Sequence, residues 1–321
     1  DPSRALQRTR PILIDEWQRL PHLWDLVRRE VDAGAPPGSF ILTGSSTPPD
    51  GAVVHSGAGR ILSLRMRPLS LPERQLVRPT VSIGELLDGR RPAIGGESPL
   101  TLADYANEME ASGFPGLRRL SPRVRRSQLD SYLTRALSKD LSDEQGVTIR
   151  RPDSLRAWLT AYAAATASPA SWEAIRTAAA SGENDPPSKV TTIRYRDWLT
   201  ALWLLDPVPA WHPQRAALAG LAKAPKHHLA DPALAARLLQ VGATSLLDGE
   251  GRVLPGAHAT ALGALFESLA TLTVRVCAQR AEATTSHLRT GHGEHAVDLI
   301  VERHDGRILG MEVKLSAVIA D

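Results

Sequence analysis

The chain has 321 residues, 42% apolar and 23% charged, a balance that excludes an intrinsically disordered chain and allows two or three cores at about 100–200 residues each. Its net charge of +3 and pI near 9.2 give mild support for an anionic partner. The single cysteine, Cys277, excludes an internal disulfide, and no apolar run approaches about 18 residues, so the expectation is a cytoplasmic chain with no membrane span.

In chain order, "PILI" (11–14) reads as a short buried strand and 18–33 as a helix, with Leu20, Leu23, Trp24, Val27 and Val31 on one face. Gly34 ends it, and "FILTGSS" (40–46) is a second strand that runs into polar residues. "GRILSLRMRPLSLPE" (59–73) is predicted as a third strand and an exit turn. Continuous apolar strands around a helix predict a parallel α/β sheet. From about 101 to 205 the chain is helical. Ser168-Pro169 is the predicted N-cap and first position of a short helix over 170–182. "GENDPPS" (182–188) is a turn, and Tyr195, Trp198, Leu199, Leu202 and Leu205 mark the next helical face. Two short helices about a turn resemble a helix-turn-helix, in a winged form. Further on, 261–279 is an amphipathic helix, and 296–316 a β-hairpin turning at Asp305-Gly306.

Two carboxylates, Asp15 and Glu16, follow the first strand directly. At the C-terminal edge of a parallel sheet, the first acid can hold Mg²⁺ through water and the second can polarise a water toward a γ-phosphate. Thr43 and Ser45, at the end of the next strand, could sense the same phosphate, and Arg60 could compensate charge. The plainer alternative has Asp15 capping the following helix with Glu16 in its first turn. The usual phosphate cradle, G-x-x-x-x-G-K-[ST], does not occur in the sequence.

A second set lies in the hairpin. Glu312 and Lys314 share a strand face, and a turn at 305–306 places Asp298 opposite roughly residue 313. Two carboxylates with Glu267 from the preceding helix could bind Mg²⁺ or Mn²⁺, and a lysine could activate water for phosphodiester hydrolysis. The alternative is a solvated hairpin face with a cross-strand ion pair. The stretch "RRLSPRVRR" carries Arg118, Arg119, Arg123, Arg125 and Arg126, a candidate DNA contact or a solvated helix face. Residues 188–198 are the candidate recognition helix. His292, Glu294 and His295 could ligate a metal or sit in a surface loop. His227, His228 and Cys277 read as structural.

These strings occur in a recognisable order: "PILIDEWQRLPHL", "FILTGSS", "GAGRILSLRMRPLSLPE", "SGFPGLRRLSPRVRRSQLDSYL", "PKHHLADPALAARLL", "GALFESLA" and "VDLIVERHDGRILGMEVKLS". Together they resemble a family of prokaryotic ATP-binding proteins. That family has an AAA-type P-loop domain, a helical and winged-helix middle, and a C-terminal domain of unknown function similar to PD-(D/E)XK restriction-endonuclease folds. The resemblance implies an α/β chain in three parts. A partial P-loop sheet spans 1–75, an all-α winged-helix-like middle 76–210, and an incomplete endonuclease-like α/β domain 211–321. It implies Walker B roles for Asp15 and Glu16, sensor roles for Thr43 and Ser45, and nuclease-motif roles for Asp298, Glu312, Lys314 and the helical acid Glu267. ATP and Mg²⁺ are the implied cofactors. Nucleotide, DNA and another protein at the helical middle are the implied partners. The family's P-loop and first strand have no counterpart here, and a truncation at both ends is expected.

Overall fold

The computed structural model describes residues 6, 8–47, 57–93, 95, 97–147, 149, 151–180, 185–212, 224–251, 253, 260–289 and 295–315. Strands β1 (Ile12–Ile14) and β2 (Phe40–Leu42) pair in parallel, Ile12 against Phe40 and Ile14 against Leu42. Parallel neighbours need a crossover, supplied here by a 3₁₀ turn (Trp17–Arg19) and helix α1 (His22–Asp32). Leu23 and Val27 bury the inner face of α1, whereas Leu20 precedes the helix and is half exposed.

The expected third strand is absent: none of the described residues between 57 and 73 is in a strand. Leu62, Leu64 and Met66 alternate as a strand would, but they are 82%, 70% and 92% exposed. A period of two makes a strand only where a neighbouring strand or face receives it, and no described strand pairs with this stretch. Leu13 and Ile41, on the outer face of the two strands, are also exposed.

The middle of the chain is helical: α2 (Ile83–Leu87), α3 (Leu102–Ala111), α4 (Pro115–Arg118) and α5 (Pro122–Arg135). A π-helical turn (Ala136–Asp140) leads from α5 into α6 (Leu141–Gln145). Then come α7 (Pro152–Ala164), α8 (Trp172–Ala178), α9 (Lys189–Ala201), α10 (Pro232–Leu238), α11 (Ala243–Leu247) and α12 (Ala261–Arg280). Side-chain caps set several starts. The α8 cap is Ser171, which accepts from Ala174 N–H, and not Ser168, whose hydroxyl donates to the Ala165 carbonyl. Met109, Leu133, Trp158, Tyr162, Leu199, Leu234, Leu265 and Leu269 belong to one large core. Of the predicted face, Tyr195 and Leu199 are buried on α9 and Leu202 and Leu205 just beyond its end, while Trp198 is half-buried.

After α9 the chain forms a short ladder with the segment that precedes α10: Leu205 pairs with Leu229 and Val208 with Lys226, both antiparallel, and Thr166 bridges to His227. Helix α12 is long and apolar enough to span a membrane by length and composition (mean hydropathy 1.4). Its Ala264, Leu265, Leu269 and Leu272 are instead buried against the protein core.

Beyond α12, strands β3 (Ala283–Arg289), β4 (Ala296–Arg303) and β5 (Ile308–Met311) form an antiparallel sheet in chain order. The hairpin turns at Asp305-Gly306 as expected, with Gly306 at φ +80°. β3 went unforeseen because "ATTSHLR" lacks a continuous apolar run. Leu299, Ile300 and Val301 are buried in succession, so the middle of β4 is covered on both faces.

A buried carboxylate ties these parts together. Asp206, 4% exposed, meets Arg65 Nη1 at 2.8 Å, Arg67 Nε at 2.9 Å and Arg275 Nη1 at 3.0 Å. Removing one partner of a buried ion pair strands the others, at about 3–5 kcal/mol. Asp206→Ala is therefore expected to lower the unfolding free energy by about 3–5 kcal/mol in urea titration. Arg65→Ala, which leaves Arg67 and Arg275 on the carboxylate, should cost less, about 1.5–3 kcal/mol.

Candidate functional site

β1 ends because Glu16 adopts the left-handed conformation, φ +53° and ψ +43°. That backbone costs a non-glycine residue about 1 kcal/mol and is found more often at functional positions than elsewhere. The turn points two acids across the ends of the paired strands. Asp15 Oδ1 accepts a 2.5 Å hydrogen bond from Thr43 Oγ1. Glu16 Oε2 accepts from Ser45 Oγ at 2.9 Å and from the buried Gln18 Nε2. Backbone bonds brace the arrangement: Thr43 N–H to the Ile14 carbonyl at 2.9 Å, and Trp17 N–H to the Thr43 carbonyl at 3.1 Å. Gly44 lies against the Gln18 side-chain amide, which a Cβ there would have to displace.

The structure thus brings together Asp15, Glu16, Thr43 and Ser45, residues 28 and 29 positions apart in each cross-strand pair. The capping alternative does not hold. Helix α1 has Pro21 at its N-cap and no side-chain cap, and Glu16 itself precedes the 3₁₀ turn without capping it. Arg60 is not part of this cluster. Its Nε pairs with Asp32 at the last turn of α1, holding the Asp32 carboxyl below the usual range. The helix carries that partner to the end of the sheet opposite the acids.

In the C-terminal part, Glu267 on α12 and Asp298 on β4 do meet, with Lys226 Nζ between them at 2.7 and 2.8 Å. Sequence reasoning missed Lys226, which lies more than 40 residues from the nearer acid and carries no motif. Its position in the 205–208/226–229 ladder is a tertiary fact. Glu267, suspected of being solvated, is largely buried. Asp298 Oδ2 also accepts from Val313 N–H at 2.9 Å. The hairpin register, Leu299 against Met311, puts position 298 opposite 312, one residue from the expected 313. Lys314 does not reach Asp298 in an ion pair; its ammonium pairs with Glu312 at 3.1 Å on the exposed side. Among the described residues, no group of three or more His, Cys, Asp or Glu is placed to hold a metal ion. The expected Asp298–Glu312–Glu267 metal set is therefore not assembled. His292 and Glu294 lie outside the described residues.

The charges in this cluster act on one another. Burial works against all three ions. It is overcome at Asp298, whose carboxyl is held low by the Lys226 hydrogen bond and charge and by the Val313 amide. Burial prevails at Glu267, pushed up with added repulsion from Asp298 and Glu312 despite Lys226. Two carboxylates share one ammonium, and the one with the extra amide ionises first. Lys226 is raised, because Glu267 and Asp298 outweigh its desolvation.

The five arginines of 118–126 do not form one open basic face. Arg118 grips Glu108 through both terminal nitrogens, at 2.9 and 3.1 Å, and donates to the Ser112 carbonyl. Arg126 pairs with Glu110 at 3.2 Å, Arg125 is half-buried, and only Arg119 and Arg123 are both exposed and without an ion pair among the described residues. On α9, Arg196 stacks over Trp172 at 5.2 Å and pairs with Asp197. A cavity of about 400 Å³ beside α5, lined by Phe114, Tyr132, Arg135 and Asp140, shares no residue with either acidic cluster.

Residues 3–75 match the family model described as an AAA domain, and residues 102–245 match that of a domain of unknown function, DUF8612. No curated protein and no solved structure matches the chain. The first match contains Asp15, Glu16, Thr43 and Ser45 and points to an AAA-type nucleotide-binding ATPase, which implies nucleotide with magnesium. The second contains the helical middle and Lys226. Both end before α12 and β3–β5.

Beside Lys226, His227 donates from Nε2 to the Ala170 carbonyl at 2.8 Å, and His228 Nδ1 lies 3.2 Å from Ser268 Oγ. Burial lowers His227 from 6.5 to about 4 and His228 well below 6.5. The unfolded chain takes up these protons near pH 6.5 while the folded chain refuses them, so stability is lost as pH falls toward 4. For His227 alone the loss is about 1.4 kcal/mol per pH unit. The urea midpoint is expected to fall steadily between pH 6.5 and 4, and His227→Gln should make that slope shallower.

Proposed function

We propose that the N-terminal part of the chain is the acid-bearing portion of an AAA-type nucleotide site, with Asp15 and Glu16 as its Walker B pair. The observation that carries this reading is the meeting of Asp15 with Thr43 and of Glu16 with Ser45 across two parallel strand ends, inside the segment that matches an AAA domain. Such an edge is where α/β sheets bind ligands.

The acids fit the magnesium side of such a site. Asp15 is exposed and already hydrogen-bonded to a hydroxyl, as a carboxylate holding a metal-bound water would be. Bound magnesium would supply charge neutralisation for phosphate oxygens. The phosphate side does not fit: none of the 321 residues forms the G-x-x-x-x-G-K-[ST] cradle, and no step is assigned to it. Glu16 would accept a proton from the attacking water. Ser45 and Gln18 hold the same oxygen, Oε2, so they set the carboxylate's direction and leave Oε1 to receive that proton. Thr43 would report the state of Asp15 to β2.

In this reading the chain divides near 75 and 210, and the helical middle passes the nucleotide state on. Helices α8 and α9 with the 205–208/226–229 ladder support a winged-helix-like module, better suited to docking a protein than DNA, because Arg118, Arg126 and Arg196 are already engaged. A non-catalytic switch is the second reading of the C-terminal part, favoured by Lys226 between its two acids.

With the site complete, Glu16→Gln is expected to slow ATP hydrolysis by about 10²–10⁴ while leaving ATP binding intact, as for loss of a general base. Phosphate release and nucleotide binding, measured on one preparation, separate the two. Unchanged turnover would remove Glu16 from the reaction. Thr43→Val should weaken magnesium-dependent nucleotide binding with little loss of stability, since the bond it removes lies at the surface.

A further inference from the structure

We propose that the Lys226 ammonium fills the place of a divalent cation between Glu267 and Asp298, so that the C-terminal acidic cluster is a metal-free clasp joining the helical middle to the C-terminal sheet. The inference is independent of the nucleotide site.

Three elements converge on one point: Glu267 from α12, Asp298 from β4, and Lys226 from the ladder before α10. Nζ sits 2.7 Å from Glu267 Oε1 and 2.8 Å from Asp298 Oδ1. A magnesium or manganese ion bridging the same oxygens would sit at about 2.0–2.2 Å from each, in the volume that Nζ now fills. The ammonium is not a surface group that has strayed inward. Its side chain is 10% exposed. Its backbone is held by a reciprocal pair with Val208, N–H to carbonyl at 2.9 Å in both directions. The residues after it, His227 and His228, are buried, so the strand has no freedom to turn Lys226 outward.

The remaining donors point the same way. Asp298 Oδ2, the oxygen that would complete a chelate, is taken by Val313 N–H. Glu312, the acid that would be a third ligand, stands beside Asp298 and shares a hydrogen bond with it, but its own counter-charge is Lys314 Nζ at 3.1 Å. A divalent ion would have to expel Lys226 from its two partners and leave a buried ammonium unpaired. Lys226 lies within the 102–245 match and both acids lie outside it. The clasp thus fastens one part of the chain to another, as a metal shared between them would.

The test is a manganese titration of the wild-type chain, followed by calorimetry and by the thermal midpoint. The expected result is no binding and no midpoint shift that depend on Asp298, so that wild type and Asp298→Asn respond to manganese alike. Lys226→Ala should melt lower and gain a manganese site that raises its midpoint by several degrees. That gain should vanish in Lys226→Ala/Asp298→Asn. Manganese binding by the wild type that disappears in Asp298→Asn would overturn the proposal, as would Mg²⁺-dependent DNA cleavage lost in Asp298→Ala. A folded Lys226→Ala that gains no site would also overturn it, since the lysine would not then be filling a cation's place. If Lys226→Ala does not fold, the wild-type titration decides the metal claim. Lys226→Arg, which keeps the charge, then decides the clasp: a restored fold supports it, and failure to fold counts against it.

Discussion

Asp206 is the group on which the arrangement of the chain depends. One buried carboxylate cannot stay ionised in a protein interior without compensation, and here it receives cations from both sides in sequence. Arg65 and Arg67 follow the β1–α1–β2 unit, and Arg275 lies on α12. Arg65 adds bonds to the Trp203 and Leu205 carbonyls and stacks on Trp203 at 4.9 Å. Arg275 Nη1 donates to the carbonyls of Asp206 and Pro207. Burial lowers Arg275 to about 10, still cationic at neutral pH. The segment carrying Leu62, Leu64 and Met66 is otherwise exposed, so these two arginines are a principal anchor of the AAA-matching region to the rest.

A second hub follows the same rule. Asp231 is fully buried and accepts from Ser112 Oγ and Gly113 N–H, both at 2.7 Å, while it caps α10 through Ala233 N–H. Gly113 in turn accepts from Leu69 N–H at 2.8 Å, and a Cβ there would come within 2.8 Å of the Leu69 backbone. Arg74, its side chain fully buried, reaches Glu108, which also holds Arg118. The strings "LSLPE", "SGFPGLRRL" and "HHLADP" are far apart in sequence but meet in this network. Their composition is explained by packing: a carboxylate needs several donors, and a close backbone approach needs glycine.

The two acidic clusters differ in what surrounds them. Asp15 and Glu16 stand at a strand edge, facing neutral hydroxyls and an amide, and no lysine or arginine pairs with them among the ion pairs of the described residues. Glu267 and Asp298 are largely buried, and the protein supplies their counter-charge itself. A strand-end acid pair and a helix-plus-hairpin acid set look equally suggestive as strings. Burial and one distant lysine separate them.

Much of the local structure was legible in the sequence, because it is set by neighbours in the chain. The apolar runs of β1 and β2, the amphipathic faces of α9 and α12 and the Asp305-Gly306 turn all follow from spacing and from residues with particular backbone preferences. The approach of Asp15 to Thr43 was also legible, since parallel pairing around one helix leaves few registers. Tertiary structure alone decided the rest. Whether 59–73 becomes a strand depends on a partner strand, not on its own alternation. Which of Arg60, Arg118 and Arg126 stays available depends on where Asp32, Glu108 and Glu110 come to lie. The pairing of the C-terminal acids turned on Lys226, whose place is set by a ladder closed across a long intervening segment. Charge pairing acts through space at about 3 Å, and no spacing rule within a single stretch of sequence records which distant residue will arrive there.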